Sequence, residues 1–311
     1  MFHRIAETAG ARLVTSLRAR PKAFLIAVAT CLTALLQASS FAAQNKPNQI
    51  RFEYVPPKNT AHQWIHDRMK EGRALEDLQK LLSPIRLPYP LLLKVDSCDG
   101  VPNAYYNDEV ITVCYELLAD IIKNAPEKDL PIGISRADTI LGPVLDTFLH
   151  ETGHAIFRML EIPVLGREED AADQFSTYAM LKLDKDEARR MILGAAYQYH
   201  LYMPGQNFTL SIKTFADEHS LPAQRMFNIL CMAYGADQKL FSDVVEKGFL
   251  PKERAETCVV EYGDVTFAMT KLIAPHVDKQ RAKTVFKEWT RIATVRRAKL
   301  STQQKPIEAN R

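Results

Sequence analysis

Apolar positions follow two different rhythms along this chain. From Pro143 onwards they recur at helical spacing almost without pause, which predicts a C-terminal half that is mostly α. The N-terminal part is mixed. A short strand is predicted near residues 50–55, ahead of Pro56-Pro57. One helix is predicted over about residues 61–82, where Trp64, Met69, Leu75, Leu78 and Leu81 fall at roughly helical spacing until Pro84, Pro88 and Pro90 end it. Residues 91–95 form an apolar run between turn formers, and residues 109–114 are β-branched in character. A β-hairpin is the simplest account of these two strands, with residues 103–108 as the connection. Residues 115–123 read as a helix. The fold class is therefore α+β, predominantly α.

The apolar run over residues 23–36 belongs to neither rhythm. It follows Arg4, Arg12, Arg18, Arg20 and Lys22, and Ser40-Phe41-Ala42 then places small residues where a signal peptidase accepts them. Residues 1–42 read as a cleaved signal peptide, because a run of about 14 residues is shorter than the roughly 20 a spanning helix needs. Cys31 follows Thr30, a poor context for lipid attachment. An exported protein, periplasmic or secreted and without stable membrane insertion, is expected. Loss of Cys31 leaves Cys98, Cys114, Cys231 and Cys258, and an even count in an oxidising compartment suggests disulfides. Of the possible pairings the sequence-local ones are favoured, Cys98 with Cys114 and Cys231 with Cys258. A cysteine zinc site competes, but the close spacing such sites use is missing.

Charge changes meaning with the same cleavage. The chain carries 40 basic and 37 acidic residues. Its first 42 residues hold five basic residues against Glu7 alone, so the remainder is close to neutral. No case for nucleic acid survives from net charge. The organisation read from the sequence is a flexible stretch at 43–49, a single domain at 50–290 and a basic, solvated tail at 291–311.

The segment that carries chemistry is Phe148-Leu149-His150-Glu151-Thr152-Gly153-His154-Ala155. On a helix, residues four apart project from the same face one turn apart, so both imidazoles can reach one metal ion. Glu151 lies about 100° further round, where its carboxylate can touch a metal-bound water without being a ligand. Gly142-Pro143 offers a helix start, and Pro163 and Gly166 follow its end. Downstream, Glu168-Glu169-Asp170-Ala171-Ala172-Asp173 opens a second helix that a short loop can fold back across the first. Glu169 is the chosen third metal ligand, because Asp173 shares its helical face and can accept the outer N–H of a ligating histidine. Glu168 is the fallback ligand. Gly153, Ala171 and Ala172 would let the two helices approach closely.

Two imidazoles and one carboxylate leave a position on a single Zn²⁺ open for water, and Glu151 would act as the catalytic base that activates it for attack on a peptide carbonyl. Tyr197, Tyr199 and His200 are candidate oxyanion donors by residue type only. His62, His66, His219 and His276 have no convincing partners, and His62 with His66 reads as a polar helix face.

These motifs resemble the gluzincin class of zinc metallopeptidases. More closely, the chain is similar to an uncharacterised bacterial family of metallopeptidases designated domain of unknown function 4344. The resemblance rests on the HETGHA stretch together with Arg167-Glu168-Glu169-Asp170-Ala171-Ala172-Asp173-Gln174-Phe175. Weaker support comes from Asn103-Ala104-Tyr105-Tyr106, Cys114-Tyr115-Glu116-Leu117 and the segment from Leu250-Pro251 to Glu261-Tyr262. It implies a zincin-like fold with a small sheet packed on the motif helix and an edge strand, residues 109–114, that binds extended peptide. The function expected is an exported zinc metallopeptidase acting on a peptide or protein. Two alternatives stand beside it: an inactive binding or envelope-assembly protein of the same fold, and a hydrolase of a non-peptide amide.

Overall fold

The computed structural model describes residues 49–203 and 211–302. The signal peptide expected at 1–42, Cys31, residues 43–48 and the tail beyond 302 lie outside the described residues. In chain order the elements are β1 (Ile50–Tyr54), α1 (Gln63–Glu71), α2 (Ala74–Leu82), β2 (Leu91–Asp96), β3 (Ala104–Asn107), β4 (Val110–Cys114) and α3 (Tyr115–Asn124). Then come α4 (Asp138–Met159), α5 (Glu168–Met180), α6 (Lys185–Leu201), α7 (Pro222–Ala236), α8 (Ser242–Glu246), α9 (Lys252–Ala255), α10 (Cys258–Ala268) and α11 (Lys279–Thr302). The architecture is α+β and predominantly α. A small sheet contacts the motif helix α4 through β3 and β4.

The sheet corrects the expected hairpin. Its order is β1-β2-β4-β3, and β2 pairs with β4 in parallel, with Leu93 opposite Ile111 and Asp96 opposite Cys114. The strand antiparallel to β4 is β3, which lies inside the presumed connection. The chain turns between them at Asp108 and Glu109, both in the left-handed region at φ 47° and 61°, as a two-residue hairpin turn requires. β4 is therefore interior, and the peptide-binding edge expected there is absent; β1 and β3 are the edges. Burial agrees, since Ile111, Thr112, Val113 and Cys114 are all buried while β1 buries only Ile50. The Cys98–Cys114 disulfide forms for a different reason than a hairpin. Parallel neighbours end side by side, so Cys98, just past β2, meets Cys114 at the end of β4 with Cα atoms 5.5 Å apart.

The single helix expected over 61–82 is two. Gly72 ends α1, and Arg73 adopts φ 54° before α2 begins. The Tyr54 hydroxyl sits at this break, accepting from Leu75 N–H at 2.8 Å and donating to Glu76 Oε2 at 2.7 Å. It satisfies backbone that an unbroken helix would have bonded internally. His66 is buried beside Tyr54 and Tyr115 rather than lying on a polar face. At the other end α11 continues through Thr302, into the stretch read as a solvated tail. Its Ala282 and Val285 are buried, with Phe286 and Trp289 packed on the core, which anchors the helix.

The motif helix also starts earlier than expected, at Asp138, with Pro143 inside it. Gly142 is needed for packing rather than for starting the helix. A Cβ there would lie 2.5 Å from Met191 O, and one on Gly194 of α6 would lie 2.1 Å from Asp138 O. The two glycines thus let α4 and α6 touch backbone to backbone. At the far end the loop 161–166 reverses the chain, with Glu161 at φ 53° and Gly166 at φ 104°. There α5 folds back on α4, and a Cβ on Gly153 would stand 3.1 Å from Ala172 Cα. The second disulfide, Cys231–Cys258, staples α7 to the start of α10 across 27 residues. In the chain-entropy account a loop of that length is worth about 3–4 kcal/mol.

Candidate metal centre

The crossing of α4 and α5 assembles a compact set of nitrogen and oxygen donors. His150 and His154 share one face of α4, and their Nε2 atoms are 3.2 Å apart. The Glu169 carboxylate, in the first turn of α5, lies 3.0 Å from His150 Nε2 through Oε2 and 3.4 Å from His154 Nε2 through Oε1. Two atoms bound to one zinc ion at about 2.0–2.1 Å with tetrahedral angles stand about 3.3 Å apart. The donor set therefore fits a metal ion in both chemistry and spacing.

The outer ring nitrogens are held as well. His150 Nδ1 donates to Asp173 Oδ1 at 2.8 Å, and His154 Nδ1 donates to Glu168 Oε1 at 2.9 Å. Each imidazole is thereby turned with Nε2 toward the centre, the arrangement in which a carboxylate fixes a ligating histidine. Glu168, the fallback ligand, stands in this outer position with Arg158 3.4 Å from its other oxygen.

Sequence reasoning missed two contributors. His219, taken to have no convincing partner, places Nε2 3.0 Å from Glu169 Oε2, and its ring stacks over His150. A clamp on α5 holds it there: Ser220 Oγ donates to Asp170 Oδ1 at 2.6 Å, and Arg167 bonds the Asp217 carbonyl. Arg225 of α7 donates to both oxygens of Asp173, at 2.7 and 2.5 Å, and lies over the Tyr199 ring. Both come from a chain segment remote in sequence, so no local spacing signals them.

Electrostatics follow the geometry. Burial opposes charge on His150, yet its bonds with Asp173 and Glu169 prevail and hold its pKa at about 10. His154 is raised in the same way by Glu169 and Glu168 against burial. For Glu169, burial is outweighed by the three surrounding imidazoles, which keep the carboxylate ionised far below its usual range. Asp173, buried but bonded to His150 and Arg225, is lowered to about 2. The centre thus draws positive charge inward.

Glu151 is buried on the next face of α4, and burial raises its pKa. It lines a cavity of about 160 Å³ together with His150, His219 and Tyr199. The Tyr199 hydroxyl donates to Asp146 Oδ2 at 2.9 Å, so it is already engaged. Tyr197 and His200 do not line this cavity; their rings pack on each other, 6.3 Å between centroids.

A family model described as "Putative metallopeptidase" and designated domain of unknown function 4344 matches residues 54–273, a span that includes every residue of this centre. No curated protein and no solved structure matches the chain.

Proposed function

Since the chain belongs to this metallopeptidase family, we propose that it is an exported zinc peptidase in which His150, His154 and Glu169 hold one ion and Glu151 is the catalytic base. The observation that carries the reading is the convergence of two imidazole nitrogens and one carboxylate, at 3.0 to 3.4 Å, beside a buried glutamate. Bound zinc would supply a Lewis acid that polarises the peptide carbonyl and brings the pKa of a water towards neutrality.

The chain's own groups do the rest. Burial makes Glu151 a stronger base than a solvated carboxylate, so it takes a proton from the attacking water and returns it to the departing amine nitrogen. Asp173 and Glu168 keep the histidines oriented, and Arg225 keeps Asp173 in place. His219, whose Nε2 lies 3.0 Å from Glu169 Oε2, is assigned as donor to the carbonyl oxygen once that carboxylate is committed to the ion. Its side chain is 43% exposed, against 7% and 13% for His150 and His154, and so can reach a substrate. Export is supported by the two disulfides, which an oxidising compartment favours.

Glu151→Gln tests the mechanism. Cleavage of an unfolded protein substrate should fall by at least about a hundredfold while zinc content stays at one ion. Turnover equal to that of the unaltered protein would sink the role of Glu151. Zinc binding with no cleavage by either protein would favour the inactive binding protein instead. His219→Ala should lower kcat by about a hundredfold with zinc retained; loss of zinc would make it a ligand.

A further inference from the structure

Glycine inside a helix costs stability relative to alanine, and at four such positions in this chain a neighbouring backbone comes close enough to require it. A Cβ would lie 2.5 Å from Met191 O at Gly142, 3.1 Å from Ala172 Cα at Gly153, 2.1 Å from Asp138 O at Gly194 and 2.1 Å from Cys258 O at Gly235. Gly263, in the middle of α10, is different. A Cβ on it would meet nothing within 4 Å, so alanine would fit there and would favour the helix.

The side chains around Gly263 are anomalous in the same way. Val260 is 67% exposed, Phe267 65% and Val259 49%. Helical spacing puts all three on one face with Gly263, opposite the buried Cys258, Val265 and Met269. An apolar face with a glycine at its centre is suited to a close helix crossing, and among the described residues nothing covers it.

The order of residues along the face identifies the second helix. Glu256 and Lys271 stand near its two ends, both exposed and in no ion pair among the described residues, with Lys271 Nζ 5.6 Å from the Phe267 ring centre. When a second copy of α10 crosses antiparallel at Gly263, residues about equally far before and after the glycine meet. Val259 and Val260 then face Phe267 of the second copy, and Glu256 faces its Lys271, twice over by two-fold symmetry. An open groove of about 620 Å³, lined by Val260, Val265 and Ala268 of α10 and Gln174 of α5, gives Phe267 of the second copy a place to lie. The face is self-complementary in both apolar contact and charge.

We propose that the protein forms a two-fold dimer by crossing α10 on α10 at Gly263. This dimer is independent of the peptidase reading. A single helix crossing buries less than a standard interface, so half-association is expected near about 10 μM rather than at nanomolar concentration.

Sedimentation velocity of the purified protein from about 1 to 200 μM should show the rise from monomer to dimer across the range. Gly263→Ala should melt at a higher temperature than the unaltered protein in dilute solution, yet dimerise at least about tenfold more weakly. A glycine with only a structural role in the monomer would not give both. Glu256→Lys and Lys271→Glu should each weaken the dimer by about threefold, and the two together should restore it to within about twofold. A protein that stays monomeric throughout the range overturns the proposal. So does a dimer unaffected by Gly263→Ala, or one in which the charge exchange is no better than either single change.

Discussion

Helix α4 is crossed closely by two neighbours, and the two crossings put small residues to different use. Where α6 passes, Gly142 and Gly194 bring backbone against backbone, with no room for a methyl group on either. Where α5 passes, Gly153 rests on Ala172, and the closeness is spent on side chains: His150, His154, Glu168, Glu169 and Asp173 meet within hydrogen-bonding distance. The first crossing sets where the helix lies. The second sets how far apart the donors are, so stability and metal binding should respond to different substitutions.

The sharpest way to break this distinction is Gly194→Ala. Its Cβ would lie 2.1 Å from the Asp138 carbonyl oxygen, a backbone atom that cannot rotate away. We expect a loss of about 3 kcal/mol or more in urea unfolding of the metal-free protein. Zinc affinity of the folded fraction should be little altered; a large drop in affinity at unchanged stability would reverse the roles of the two crossings. Next is Glu169→Ala, which should weaken zinc binding by more than about a hundredfold in competition with a chelator, beyond the effect of removing an outer partner. If Glu168→Ala costs more zinc affinity than Glu169→Ala, the two glutamates exchange parts. Asp173→Asn removes only an orienting acceptor and should cost about ten- to a hundredfold in zinc affinity. Gly153→Ala should have the smallest effect. Its new methyl meets Ala172 Cα at 3.1 Å, a contact that a shift of a few tenths of an ångström relieves, and alanine favours the helix by about 1 kcal/mol. Stability should stay within about 1 kcal/mol while zinc affinity falls, because the shift moves α5 and the carboxylates it carries.

Much of this second crossing could be read in the sequence because its parts are local. His150 and His154, and likewise Glu169 and Asp173, are four apart on two helices joined by a short loop, and helical geometry alone brings the four together. The sheet was less legible. A β-branched run such as 110–114 announces a strand but not the direction of its partner, and β3 hid in a stretch that looked like a connection. The break between α1 and α2 depends on the Tyr54 hydroxyl, which arrives from another element. His219 and Arg225 escaped for the same reason: each meets the centre only after α7 has folded across α5. Local periodicity cannot report a contact that tertiary packing creates.

The clamp of Ser220 on Asp170 has a kinetic consequence. His150 and Glu169 close a stretch of 19 residues, whereas Ser220 reaches Asp170 across 50. Loop-closure entropy grows with the logarithm of length, so the longer closure costs about 0.9 kcal/mol more. The two-helix hairpin bearing the histidines and Glu169 is thus the low-contact-order part of the centre, and the His219 segment is expected to arrive after it. On the proposed assignment, a divalent ion present during refolding would find His150, His154 and Glu169 assembled before His219 is in place. Added zinc should therefore speed refolding as well as slow unfolding, and the protein would become metal-loaded before it becomes competent.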